Sequence, residues 1–276
     1  MAVRQENDFH AEFLKRIRRA LALFHTALIL IVALTAGCSS SGYGWHVRTN
    51  SSPPSPKFNR AVFTQESVAI FGALAPPRLL GSETGLDTIL AQVLKTVAPS
   101  LKVITQQEAA SLINRNELSN EYTRMRNEAL QSHLLDGGSL KKLGTAIGTR
   151  YAFQPKLIEF MQIMKDRWEV PPIALKVSRI RSSIMRLSLQ LWDMQTGELL
   201  WTSMAEASLE SEAVGQDPIY FEDTARVTMG SMLADFTSGQ VTSSYGPLNG
   251  LIDQLIQIPQ AEKGRNTDNT EPGSRR

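Results

Sequence analysis

IRSSIMRLSLQLWDMQTGELLW, residues 180–201, carries two signals. Met185, Leu187, Leu189 and Leu191 alternate with Arg186, Ser188 and Gln190, the period of two that gives a strand one apolar face and one wet face. Asp193-Met194-Gln195-Thr196-Gly197 then supplies a turn. The aspartate side chain bonds forward to backbone N–H groups, and the glycine takes positive φ without steric cost. A strand over 180–193 therefore folds back on a strand over 198–210, and one face of this hairpin needs a cover. The aspartate-turn-glycine-tryptophan pattern also occurs in propeller blades. A propeller repeats it at a regular period and this chain has it once, so Trp192 and Trp201 read as sheet packing, with ligand stacking as the alternative.

Upstream, Arg150 to about Met164 forms a further strand, and Ser67–Leu74 is a short apolar strand stopped by Pro76-Pro77. Leu86, Ile89, Leu90, Val93, Leu94 and Val97 have the three-and-four spacing of an amphipathic helix ending before Pro99. Leu101–Ile104 is another strand. Thr105 and Glu108 make a capping box for a helix carrying Ala109, Leu112 and Ile113. A charged helix spans 118–134, with Tyr122, Met125, Ala129 and His133 along it, and Asp136-Gly137-Gly138 breaks it. Ser139 is the expected cap of a short helix with Leu140, Leu143 and Ile147 inward and Gly148 as its left-handed stop. The glycines of its GTAIG step suit close packing, since no lysine followed by serine or threonine completes a phosphate loop. Downstream, Asp217-Pro218 opens a last helix whose stripe is Phe221, Ala225, Met229, Met232, Leu233 and Phe236. The predicted class is α/β, a mixed sheet with a long antiparallel hairpin and helices packed on it, over residues 61–239.

Composition narrows the chemistry. In 276 residues, 42% hydrophobic and 20% charged side chains fit neither global disorder nor a multi-span membrane protein. The formal charge of +2 comes from the first 37 residues, where Arg4, Lys15, Arg16, Arg18 and Arg19 outnumber Glu6, Asp8 and Glu12. The remainder is neutral, which argues against nucleic-acid binding. A single cysteine allows neither an internal disulfide nor a thiolate metal cluster. His10 and His25 lie in the leader, and neither His46 nor His133 stands beside a nucleophile signature. Glu206, Glu210 and Glu212 share strand parity, and Glu222 and Asp223 sit at a helix start where negative charge suits the dipole. No spacing marks a glycosidase pair or a calcium loop. The expectation is no catalytic residue, no cofactor and no metal.

The leader is more informative. KRIRRALALFHTALILIVALTAGC, residues 15–38, has the basic, apolar and small-residue parts of a secretory signal. Its apolar run from Ala20 to Thr35 would make a helix of roughly 24 Å, short of a bilayer core of about 30 Å. Leu34-Thr35-Ala36-Gly37-Cys38 resembles the lipobox of bacterial lipoproteins, which implies cleavage between Gly37 and Cys38 and acylation of Cys38. Ser39 in the next position implies outer-membrane sorting in the enterobacterial convention. Residues 1–37 are then the signal peptide and 38–60 the lipidated cysteine and flexible tether, rich in serine, proline and glycine from Ser39 to Pro56. Such a tether reaches roughly 55 Å at most, which keeps the body near its membrane. Residues 240–276 are expected to be a largely disordered extension, with a short docking helix at Leu248, Leu251, Ile252, Leu255 and Ile256.

Taken with the strand-helix-strand-helix opening, Leu143-Gly144, Gly148-Thr149-Arg150-Tyr151 and the Leu189–Trp201 hairpin, the lipobox resembles one superfamily of envelope lipoproteins. Its members include the curli-secretion channel CsgG, the penicillin-binding-protein activator LpoB, the export lipoprotein PelC and the amino-terminal domain of TolB. The resemblance covers residues 65–238. It implies a non-catalytic module that binds protein partners or forms homo-oligomeric rings. Lys165, Asp166, Arg167, Glu169 and Pro171-Pro172 interrupt the apolar wall that a channel hairpin needs, which argues against a pore. The functional expectation is an outer-membrane-anchored lipoprotein facing the periplasm, an assembly, secretion or export accessory acting through protein contacts. The alternative is a glycan or small-ligand binder using Trp192 and Trp201.

Overall fold

A computed structural model describes residues 42–169, 176–212 and 219–245. The Gly37/Cys38 cleavage site, the Asp217-Pro218 cap and the docking helix near 248–256 lie outside them. The elements in chain order are β1 (Gly42–Ser51), α1 (Arg60–Phe63), β2 (Ser67–Ile70), a 3-10 turn (Pro77–Leu79), α2 (Leu86–Val97), β3 (Lys102–Ile104), α3 (Gln106–Arg115), α4 (Ser119–Ser132) and α5 (Gly137–Ile147). Then come β4 (Tyr151–Glu169), β5 (Lys176–Asp193), β6 (Glu198–Glu212), α6 (Phe221–Ser238) and β7 (Thr242–Tyr245).

Seven strands form one sheet in the order β3-β2-β4-β5-β6-β1-β7. β2 runs parallel to β3 and β4, whereas β4, β5 and β6 are an antiparallel meander. The α/β class, the mixed sheet and the long hairpin are therefore as the sequence predicts. The charged residues after Ile163 do not end the strands: pairing continues to Glu169 opposite Lys176.

Two apolar clusters flank the sheet. On one face α6 covers β5 and β6 and α2 packs beside it over β2 and β3, with Met185, Leu187, Leu189 and Leu191 buried as the period of two requires. The methionine stripe of α6 is core here, with Met229 and Met232 buried. On the other face α3, α4 and α5 pack over Ala69, Phe71, Ala152, Trp192 and Met194. Local signals behave as expected at the capping box of Thr105 and Glu108 and at the left-handed stop Gly148. The cap of α5 is Asp136 rather than Ser139: its Oδ2 accepts the Ser139 N–H at 2.7 Å, and Gly137 and Gly138 join the first turn.

The hairpin turn docks against that same helix. Asp193 Oδ1 accepts the N–H groups of Gln195 and Thr196 at 2.8 and 3.2 Å. Gly197 has φ +76°, and a Cβ there would stand 2.8 Å from Gly137 Cα. Gly144 similarly leaves 2.7 Å for a Cβ against Met194, so the first glycine of GTAIG is a packing glycine, whereas Gly148, with φ +75° and open space around it, is the helix stop. Substituting Gly197→Ala combines left-handed strain with a backbone collision, and we expect a loss of about 2–4 kcal/mol in urea unfolding.

The tether reading needs correction between Gly42 and Ser51, which form β1 within the sheet. Trp45, Val47, Thr49 and Ser51 are buried, while His46, Arg48 and Asn50 are exposed. The alternation is real, but two of its inward residues are polar, so composition hides it. Their hydroxyls have partners: Ser51 Oγ donates to Ser203 Oγ at 2.8 Å, and Thr49 Oγ1 donates to Asp235. Likewise Thr242–Tyr245, assigned to the C-terminal extension, is strand β7 paired to β1. Tyr245 Oη also donates to Asp235, a fully buried carboxylate on α6. One acidic side chain thus latches edge strand β7 and its neighbour β1.

Burial and then this bond raise the Tyr245 phenol well above its ordinary value of 10.0. The folded state therefore holds a proton that the unfolded chain releases first. The contribution of this group to stability should be constant below pH about 10 and fall as pH rises beyond it. Tyr245→Phe should flatten that slope in denaturant titrations between pH 9 and 11.

Candidate functional site

Helices α3–α5 cover only one end of their sheet face. Farther along the meander, Ser188, Gln190, Thr202 and Met204 of β5 and β6 lie outside the apolar cluster those helices form, and Met204 is 52% exposed. These are the wet positions of the hairpin alternation. Rimming this open area, Arg186 bridges Glu159 at 2.8 Å and Glu206 at 2.6 Å, which pairs one of the same-parity glutamates.

Where the covered and open parts meet, a groove of about 880 Å³ runs between the Pro76-Pro77 loop, the end of α4 and the sheet. Its size is that of a small-molecule or short-peptide site. Leu74, Pro76, Leu130, Ile158 and Met204 supply apolar walls, and none of the residues lining it is acidic. Three polar side chains give it chemical character.

Lys156 projects from β4 at the groove and is half-buried. Its Nζ lies 2.7 Å from His133 Nδ1, and it has no carboxylate partner among the described residues. Desolvation lowers the pKa of this ammonium, because burial penalises the charged form. His133 closes α4 with φ 62°, a left-handed conformation that a glycine would adopt more easily. Gln190 Nε2 donates to the His133 carbonyl at 3.1 Å, which pins this strained corner to the sheet. Gln154, two residues before Lys156, is 2% exposed and donates through Nε2 to the carbonyls of Gly72 and Pro155 at 3.0 and 2.8 Å. Its Oε1 is buried and has no hydrogen-bond partner, a costly arrangement for an amide oxygen.

Trp192 and Trp201 do not form a binding platform. They are 3% and 1% exposed and belong to the two clusters on opposite faces of the sheet. The reason is register: Leu191 pairs with Trp201 but Trp192 pairs with Leu199, across an irregularity. Trp192 Nε1 donates to Gln190 Oε1 at 3.2 Å, and Trp201 packs 4.9 Å from the Phe236 ring. His46 sits on the exposed side of β1 near Ser244, far along the sheet order from β4. Glu222 and Asp223 occupy the first turn of α6 as expected. Among the described residues no cluster of histidine, cysteine and carboxylates could hold a metal ion, and no helix is long and apolar enough to cross a membrane. Cys38 and Gly37 lie outside the described residues. Sequence reasoning missed Gln154 and Lys156. The available signal was the alternation Ala152, Gln154, Lys156 against Tyr151, Phe153, Leu157, with polar residues on a face whose start is buried.

No protein-family model matches the chain, and no curated protein is similar to it at a significant level. Among solved structures, the fold is similar to the PelC dodecamer from Paraburkholderia phytofirmans at 10% identity and a TM-score of 0.38, over 68% of this chain and 95% of that one. It is also similar to lipoprotein GNA1162 from Neisseria meningitidis, at 13% identity and a TM-score of 0.34, over 63% of this chain and 96% of that one. The LpoB C-terminal domain from Salmonella enterica is a third likeness, at 13% identity and a TM-score of 0.31, over 51% of this chain and 81% of that one.

Proposed function

We propose that this chain is a lipid-anchored envelope protein, held at the outer membrane through Cys38 and facing the periplasm, that acts by binding protein partners as an assembly, secretion or export accessory. The observation that carries the reading is the groove at the boundary of the half-covered sheet face. A face left open beside a helical layer, with apolar walls, a lysine that has no carboxylate partner among the described residues and an unpaired amide oxygen, is the kind of surface that a partner completes. The lipobox-like Leu34–Cys38 and the basic-apolar leader support the location. The reading assigns no catalytic role, and its partners are proteins rather than glycans, since both indoles that would stack on a sugar are buried.

Photocrosslinking in intact cells tests this. A photoreactive residue in place of Met204 should give discrete protein adducts, and one in place of Lys141, on the outer side of α5, should give none. Equal labelling from both positions, or none from Met204, would refute the assignment of the groove.

A further inference from the structure

The groove also indicates what part of a partner it takes. This step rests on the proposed protein-binding role and deepens it. We infer that the groove binds the carboxyl terminus of a protein: the free carboxylate on Lys156 Nζ, a backbone N–H near the terminus on Gln154 Oε1, and apolar side chains against Pro76, Leu130 and Met204.

Three independent features converge on that ligand. Lys156 is a desolvated cation with no carboxylate partner among the described residues, and no acidic residue lines the groove. It therefore favours an incoming anion over water alone. Arg78 at the mouth adds a second positive charge, and its guanidinium donates to the Ile158 carbonyl at 3.4 Å. Gln154 Oε1 is an acceptor lacking a donor in a side chain that is 2% exposed. A simple fatty carboxylate carries no N–H to meet it, whereas every peptide does. Finally, Gln154 and Lys156 are two positions apart on one strand, hence on the same face, and both line the groove, so a ligand end on Lys156 lies beside the Gln154 amide, whose buried Oε1 must turn outward to meet it.

His133 sets the geometry. Held in its left-handed conformation by the Gln190 bond to its carbonyl, it presents Nδ1 to Lys156 and fixes the ammonium at the groove rather than leaving it to solvent. His133 is accordingly a positioning residue.

The test compares three probes on the full chain purified in detergent, by isothermal titration calorimetry at pH 7.5. They are an N-acetylated leucine-alanine tetrapeptide with a free carboxylate, the same peptide with a terminal amide, and decanoate below its micelle concentration. The free-acid peptide should bind about tenfold or more tighter than the amide, the worth of one charge-assisted bond. Lys156→Met should abolish that preference, with its circular dichroism and melting unchanged. Decanoate should bind at least about tenfold weaker than the free-acid peptide, because it leaves Gln154 Oε1 unpaired. Decanoate binding as tightly as the peptide would overturn the peptide assignment. No difference between acid and amide, or no binding of either peptide, would overturn the role of the carboxylate. Either failure leaves Met204 adducts in cells unaffected, so it is distinguishable from failure of the protein-binding reading itself.

Discussion

Cys38→Ser should abolish incorporation of labelled fatty acid and leave a precursor that still carries its first 37 residues. The sulfhydryl is the only one in the chain, so no second thiol can accept the lipid. The physical effect is all-or-none. A single acyl chain anchors only marginally, and several chains together hold a protein at a bilayer almost permanently. Removing the acceptor also removes the substrate on which a lipoprotein peptidase acts. Labelling cells with fatty acid, followed by intact mass measurement, checks this. A labelled Cys38→Ser product, or a wild-type product beginning anywhere other than Cys38, would contradict the anchoring account.

Trp201→Ala should be the most damaging single substitution in the body, with an expected loss of about 3–5 kcal/mol. The indole is 1% exposed on the inner face of β6, near its turn end, and its ring centroid lies 4.9 Å from that of Phe236. Phe236 in turn contacts Phe58, Phe63 and Phe153, with ring centroids 5.5, 5.6 and 6.3 Å away. Deletion leaves a cavity joining α6, α1 and the sheet, none of which can collapse without shifting a paired strand. Against a typical total of about 5–15 kcal/mol, this is a large share. Urea denaturation followed by far-UV circular dichroism measures it. A variant that unfolds at the wild-type midpoint would mean that the tryptophan is not core.

The same residue illustrates what sequence could and could not reveal. The alternation of β5 and the Asp193–Gly197 turn specified a hairpin with one wet face, because those signals are local and repeat every two residues. Two tryptophans nine positions apart looked like neighbours on that hairpin. The register slip between Leu191 and Trp192 sends them to opposite faces, and no residue-level pattern announces such a slip. β1 was hidden for a different reason. Its inward Thr49 and Ser51 are satisfied by Asp235 and Ser203, which are 186 and 152 positions away, so polar residues stand where periodicity looks for apolar ones. The groove was least legible. Pro76, His133, Lys156, Gln190 and Met204 come from five separate segments, and each has an ordinary role within its own element. Only the incomplete cover of one sheet face brings them together.

The central claim is that this groove is where partners dock. It is tested most directly by filling it. Ser188→Trp places an indole on the floor from a half-buried wet position, away from the buried face of β5. The measurement is the yield of in-cell adducts from a photoreactive residue in place of Thr202, with and without that substitution, at matched protein levels and matched melting temperatures. The account predicts that the adducts disappear when the groove is filled. Adducts of undiminished yield in the filled protein would show that partners bind elsewhere.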